Sequence, residues 1–285
     1  MPLLKKGDTV ALVGCSNGLS LEAKETIETL KNLFKSWGLE VLSSPYIYAQ
    51  KDVFAASGKE RAEALMAFYQ NEKVKAIFDV SGGDIANEVL PFLDFEIIQK
   101  AHKPYFGYSD LTTVIDGIYA KTGVNSYLYQ VRFLVGDYGK IQQEAFYKSL
   151  FEDQEDLFKF EYHFIKGESL EGIVIGGNIR CLLKLAGTPY FPDFKDKILF
   201  LEGMSGKPAQ IATFLNQYKQ IGVLDEVNGI LLGSFTEMEE KALSPTVEEL
   251  LLELVRDRDI PIAKTVQIGH GKDSKCLRIG ERISL

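Results

Sequence analysis

Three side chains with the ingredients of acyl transfer stand far apart in this chain, each at the end of an apolar run. Ser109 lies in KPYFGYSDLTTV (103–114), where Tyr105 and Phe106 lead into Gly107-Tyr108-Ser109-Asp110, followed by Leu111, Val114, Ile115 and Ile118 at helical spacing. Strand, tight turn and helix is the context that lifts a serine hydroxyl above a sheet edge and points free helix N–H groups at a developing oxyanion. Glu202 closes the strand-like run KILFLEG (197–203), and His270 sits between two glycines in IGHG (268–271). A hydroxyl nucleophile needs a base to take its proton and a carboxylate to hold the imidazole in one tautomer. Each residue also has a plainer role: Ser109 as N-cap of its own helix, Glu202 as a helix cap, Gly-His-Gly as a turn.

A fourth element is Ser81-Gly82-Gly83-Asp84, directly after the apolar run VKAIFDV (74–80). Paired glycines there permit close backbone approach, either as N–H donors to an oxyanion or as a simple β-to-α turn. Gly14 and Gly18 offer a phosphate-loop reading, but their spacing matches neither Gly-x-Gly-x-x-Gly nor the P-loop, and no lysine follows Gly18.

The elements that must position these groups alternate. TVALVG (9–14) reads as a buried strand. Ile27, Leu30, Phe34 and Trp37 mark one face of a helix over 21–37, with Trp37 as core packing, and a second strand covers 39–42. A helix over 59–72, the strand at 74–80, helical segments at 85–90 and 94–101 and the Ser109 turn follow. Strand–helix–strand repetition predicts a parallel sheet, so the turns at 14–18, 81–84 and 107–110 belong on one side. Residues 137–170 change character and read as a crossing between domains. Within them Phe158, Phe160, Tyr162 and Phe164 alternate as in a strand with one aromatic face, and His163 falls on the charged, surface side. A second unit begins near Glu171, with strands at 172–177, 197–203 and 229–235, a helix at about 245–258 and a strand ending at His270. CLRIGERISL at the C-terminus reads as a hairpin. The division is therefore 1–136, a crossing at 137–170, and 171–285.

Composition narrows the partners. The 285 residues are 46% hydrophobic and 25% charged, as in an ordinary soluble protein, and no apolar run approaches the roughly 18 residues of a membrane span. The N-terminus carries no apolar segment of secretory type. A net charge of -8 opposes nucleic-acid binding. Cys15, Cys181 and Cys276 form no CxxC pair and read as reduced cytoplasmic thiols, and His102, His163 and His270 are too scattered for a zinc site. No metal or other cofactor is expected.

SGGD (81–84), LPFLDFEII (90–98), KPYFGYSDLT (103–112), YAKTG (119–123), IGGN (175–178), LAGTPYFPD (185–193), ILFLEG (198–203), GILLGSF (229–235) and IGHG (268–271) occur together and in this order. As a set they resemble peptidase family S66, which comprises LD-carboxypeptidases of peptidoglycan recycling and MccF-type microcin C self-immunity hydrolases. The resemblance implies a Ser-Glu-His triad at Ser109, Glu202 and His270, and oxyanion donors from Gly82, Gly83, Asp84 and Asp110. It also implies a flavodoxin-like parallel-sheet N-terminal domain, a smaller mixed α/β C-terminal domain, an active site between them and a homodimer. The implied substrate is a small peptide or peptide conjugate: a muropeptide tetrapeptide losing its terminal D-alanine, or an aminoacyl- or peptidyl-nucleotide. The chain departs from the family pattern at Ser81, where many members carry arginine, at 125–129, where a Thr-x-His-Gly-Pro-like stretch is common, and in having Trp37 as its only tryptophan. Read from the residues alone, a non-catalytic two-lobed binder of a small ligand and a nucleotide binder using Gly14 and Gly18 remain alternatives.

Overall fold

The strand-like runs are buried almost end to end, and the reason is the layering. The computed structural model describes all residues from Met1 to Leu285. Its strands are β1 (Thr9–Val13), β2 (Glu40–Ser43), β3 (Val74–Asp79), β4 (Tyr105–Gly107), β5 (Ser126–Leu128), β6 (His163–Lys166), β7 (Glu171–Asn178), β8 (Lys197–Gly203), β9 (Gly229–Phe235), β10 (Ile262–Lys264), β11 (Leu277–Ile279) and β12 (Arg282–Ser284). They make two six-stranded sheets, ordered β11-β5-β4-β3-β1-β2 and β12-β7-β8-β9-β10-β6. Strands β1 to β5 pair in parallel in the order 2-1-3-4-5, the flavodoxin-like arrangement, and β11 closes that sheet antiparallel to β5. In the second sheet β7, β8, β9 and β10 are parallel, with antiparallel β12 and β6 at the edges. Helices on the faces explain the continuous Val, Ile and Leu runs.

One face of the first sheet packs Val10, Leu12, Phe78 and Phe106 against the helices Lys24–Ser36 and Gly139–Phe151. Trp37 belongs to this layer, its ring 5.7 Å from that of Phe146, as expected for core packing. The other face shares one continuous apolar core with the second sheet, running from Ile77 and Tyr105 through Ile115 to Val174, Leu199 and Leu231. The helix Thr112–Thr122 is the wedge between the sheets. A Cβ on Gly177 of β7 would lie 2.4 Å from Thr112 Oγ1, so only glycine permits this approach. Backbone donors of β7 complete the joint: Gly176 N–H donates to Asp116 Oδ1 at 2.8 Å and Asn178 N–H to Thr112 Oγ1 at 2.9 Å.

Three local expectations are corrected. The strand expected to end at His270 stops at Lys264, and His270 stands in the bend that follows. CLRIGERISL is not a hairpin: β11 joins the first sheet and β12 the second, because Gly280 (φ +92°) turns the chain toward Val174, whose carbonyl accepts its N–H. The aromatic alternation at 158–164 is a strand only from His163. Phe158 instead lies buried beneath the Arg278 guanidinium, 3.7 Å from its ring centre, and Tyr162 is exposed. His163 is on the surface, as its pattern indicated. We propose 1–136 and 171–285 as the two domains with 137–170 crossing between them, β11 being the one C-terminal strand returned to the first sheet.

Candidate active site

The parallel order of the first sheet brings its carboxyl-end turns together, and buried polar groups fix them. Asp79, at the end of β3, accepts from Cys15 N–H (2.9 Å), Tyr105 OH (2.9 Å), Ser81 N–H (2.9 Å) and Ser81 Oγ (2.6 Å). Burial raises its pKa, and hydrogen bonds from Ser81 and from the Cys15 and Tyr105 side chains oppose the rise. Arg61, fully buried, donates to the carbonyls of Cys15, Ser16 and Ile85 and pairs with Glu88. Ser16 N–H donates to Ser81 Oγ at 2.9 Å, and Ser16 Oγ to Asp110 Oδ2 at 2.6 Å. The turns at 14–18, 81–84 and 107–110 therefore share one side of the sheet, as strand order required.

Ser109 has φ +58°, a left-handed conformation unusual for serine, between extended Tyr108 (φ -156°) and a single 3-10 turn that runs into the helix Thr112–Thr122. Such backbone strain costs about 1–3 kcal/mol and persists only where its surroundings impose it. No N–H of the following helix donates to the hydroxyl, so Ser109 is not an N-cap. Its neighbour Asp110 points inward. Burial alone would raise the Asp110 pKa, but Lys184, Ser16 Oγ and Ala86 N–H hold it below the usual carboxylate value. The side chain is thus an anchor for the turn, while the N–H groups of Asp110 and Gly83 donate to nothing in the protein.

The second sheet supplies the other two groups. His270 Nδ1 lies 2.5 Å from Glu202 Oε2. Glu202 is fully buried; its Oε1 accepts from Asn178 Nδ2 at 3.0 Å and its Oε2 from Tyr108 OH at 3.4 Å. An ionised glutamate accepts only, so in a neutral imidazole facing it Nδ1 is the nitrogen that carries the proton. Burial, with Glu202 nearby, raises the Tyr108 pKa and keeps that phenol a donor. The His270 ring packs on the Tyr108 ring at 4.6 Å between centres, and Nε2 is buried with no hydrogen-bond partner. Ser109 directly follows that tyrosine in the chain, and its hydroxyl shares no hydrogen bond with the imidazole. Gly269 (φ +151°) is obligatory here, since a Cβ would lie 1.9 Å from Ser234 Oγ.

The glycine pair is clamped from both domains. Gly83 has φ +131° and no room for a side chain, because Asn17 would lie 2.2 Å from a Cβ, whereas Gly82 faces open space. Asn17 Oδ1 accepts Asp84 N–H at 3.0 Å. Arg180 donates to Asp84 Oδ1 (2.6 Å) and Gly83 O (3.3 Å), and Lys184 to Asp84 O (2.8 Å). Asp84 is exposed, its carboxylate committed to Arg180. Sequence reading passed over Asn17, Tyr108, Asn178, Arg180 and Lys184. Arg180 and Lys184 could have been found: four residues apart after IGGN, they share one helix face. Hollows of about 640 Å³ beside Leu4 and Lys103 and about 480 Å³ beside Lys75 and Lys100 open at the amino ends of the strands, another of about 630 Å³ lies beside Leu134 and Tyr138, and all three contain none of these groups.

Two parallel-centred sheets that share one core define a class, the two-domain α/β folds. Residues 10–129 match the family model for the LD-carboxypeptidase N-terminal domain and residues 171–285 that for the LD-carboxypeptidase C-terminal domain. The chain belongs to peptidase family S66 and is a serine carboxypeptidase. It is 29% identical to a Bacillus subtilis protein named "Probable murein peptide carboxypeptidase", over 99% of this chain and 90% of that one. It is 26% identical to the Escherichia coli microcin C7 self-immunity protein MccF, over 99% of this chain and 91% of that one. The solved muramoyltetrapeptide carboxypeptidase of Oxalobacter formigenes superposes with a TM-score of 0.81 at 25% identity, covering 97% of this chain and 94% of that one.

Proposed function

We propose that Ser109, His270 and Glu202 form the catalytic triad of an LD-carboxypeptidase that removes the terminal residue of a muropeptide tetrapeptide. The observation that carries this reading is the 2.5 Å contact of His270 Nδ1 with Glu202, which leaves Nε2 unpartnered beside the strained turn of Ser109. Ser109 Oγ attacks the carbonyl carbon of the last amide while Nε2 takes its proton. The oxyanion is received by the N–H groups of Gly83 and Asp110, which have no other partner. Collapse of the tetrahedral intermediate breaks the C–N bond, and the imidazolium gives its proton to the departing amine. Water then repeats the sequence on the acyl-enzyme, with His270 as base and Glu202 stabilising the transient imidazolium.

Likeness to MccF supports a second substrate class, an aminoacyl- or peptidyl-nucleotide conjugate cleaved at its amide by the same three residues. Incubating the protein with a muropeptide tetrapeptide and, separately, with an aminoacyl sulfamoyl-adenosine distinguishes the two. Release of D-alanine, abolished in Ser109→Ala, is the expected result; preferential cleavage of the nucleotide conjugate would transfer the assignment to that class. No helix is long and apolar enough to cross a membrane. We propose a reduced, cytoplasmic setting on the three buried, unpaired cysteines. We place the working unit as a homodimer on the family resemblance.

A further inference from the structure

Of the seven arginines in the chain, six pair with a carboxylate and Arg132 pairs with none. It is half-buried, and its Nε is fully shielded from solvent without a hydrogen-bond partner. Withdrawing a guanidinium from water without an anion to receive it is costly, so such a group is kept for something that arrives. Its place in the fold says where. Arg132 opens the short turn Val131–Val135 beyond the carboxyl end of β5, the strand beside β4, whose own carboxyl end carries Ser109. Gln130 ties this turn to the glycine pair: its Nε2 donates to Ser81 O at 3.4 Å and its Oε1 accepts Arg132 N–H at 3.3 Å. Phe133, on the other side, sets its ring 6.0 Å from that of Tyr108. Burial lowers the Arg132 pKa, and Asp79 is the charge that opposes this. Asp79 is no partner, however, because four donors already occupy its oxygens.

We propose that Arg132 is the specificity residue that receives the free C-terminal carboxylate of the substrate, between the Gly82–Gly83 turn and Tyr108. This rests on the Ser109 site proposed above and deepens it. An exopeptidase must measure one residue from the scissile carbonyl to the chain end, and a planar guanidinium matches a carboxylate in a two-point contact. The fixed step from oxyanion turn to Arg132 is such a gauge, and an endopeptidase would have no use for it.

The test compares the muropeptide tetrapeptide with the same peptide ending in a carboxamide. Wild-type protein is expected to favour the free acid, and Arg132→Gln to lose about 10- to 100-fold in kcat/KM on the acid, chiefly through KM, with little change on the amide. Arg132→Lys is expected to recover part of the preference, and added guanidinium ion to restore part of the activity of Arg132→Ala. Equal losses on acid and amide, or a preference that survives in Arg132→Gln with an unchanged melting temperature, would overturn the assignment. Ser109→Ala separates this from the site itself. If it stays active the nucleophile is wrong; if it is inactive yet still binds acid over amide, and the double variant with Arg132→Gln binds both alike, the Arg132 assignment stands.

Discussion

Thr112 Oγ1 accepts the N–H of Asn178 at 2.9 Å, tying the helix behind Ser109 to the strand beside Glu202. Asn178 is opposite Glu202 in the register of β7 and β8, and its side chain also holds that carboxylate. One interface thus sets the spacing of groups contributed by two sheets.

Gly177→Ala tests that interface. Its methyl would lie 2.4 Å from Thr112 Oγ1, and overpacking of this kind costs about 1–3 kcal/mol. A lower melting temperature and a fall in kcat beyond the loss of folded protein are expected. An unchanged kcat would mean that the spacing of the sheets does not govern the site.

Glu202→Gln tests the imidazole's orientation. The amide can donate to Nδ1 and hold the wrong tautomer, with an expected loss of about 10⁴ in kcat and little change in KM. Steady-state kinetics on the tetrapeptide decide it, and a loss below tenfold would remove Glu202 from the triad.

Asp116 makes stability depend on pH. Its carboxyl is fully buried, accepts only Gly176 N–H and leaves Oδ2 unpartnered, and burial raises its pKa from 3.8 to about 7. Because the folded pKa lies above the unfolded one, the contribution is fully present below about pH 4 and is lost as pH rises through 7. At its limit the loss is about 4 kcal/mol. Denaturant titrations at pH 5 and pH 8 should show Asp116→Asn with a smaller drop than wild type; equal drops would assign the pH dependence elsewhere.

Lys184→Met should destabilise the turn that follows Ser109. It strips the buried Asp110 carboxylate of its cation, and breaking such a pair costs about 3–5 kcal/mol. Chemical denaturation measures the loss, and Lys184→Arg should restore part of it.

Much of this was legible in the residues because the strands are buried on both sides. Continuous apolar runs at 9–14, 74–80, 197–203 and 229–235 mark parallel strands directly, and polar groups such as Asp79 and Glu202 stand near their ends. Glu202 could be picked out for that reason, Ser109 by the turn that follows Tyr105–Gly107, and His270 by its flanking glycines, since its strand ends earlier, at Lys264. What stayed hidden depends on contacts between distant segments. Arg180 and Lys184 read as ordinary helix charges until Gly83 and Asp110 are placed beside them. The C-terminal strands resemble a hairpin in pattern, since alternation along a strand does not say which sheet will take it. Arg132 carries no motif at all. Only the pairing of every other arginine makes it visible.

The most direct measurement is the rate at which a fluorophosphonate modifies the protein, with the adduct located by mass spectrometry. A single adduct on Ser109, formed more slowly by orders of magnitude in His270→Ala and absent in Ser109→Ala, is the expected result. No adduct at Ser109, or a rate indifferent to His270, would contradict the hydroxyl–imidazole–carboxylate site.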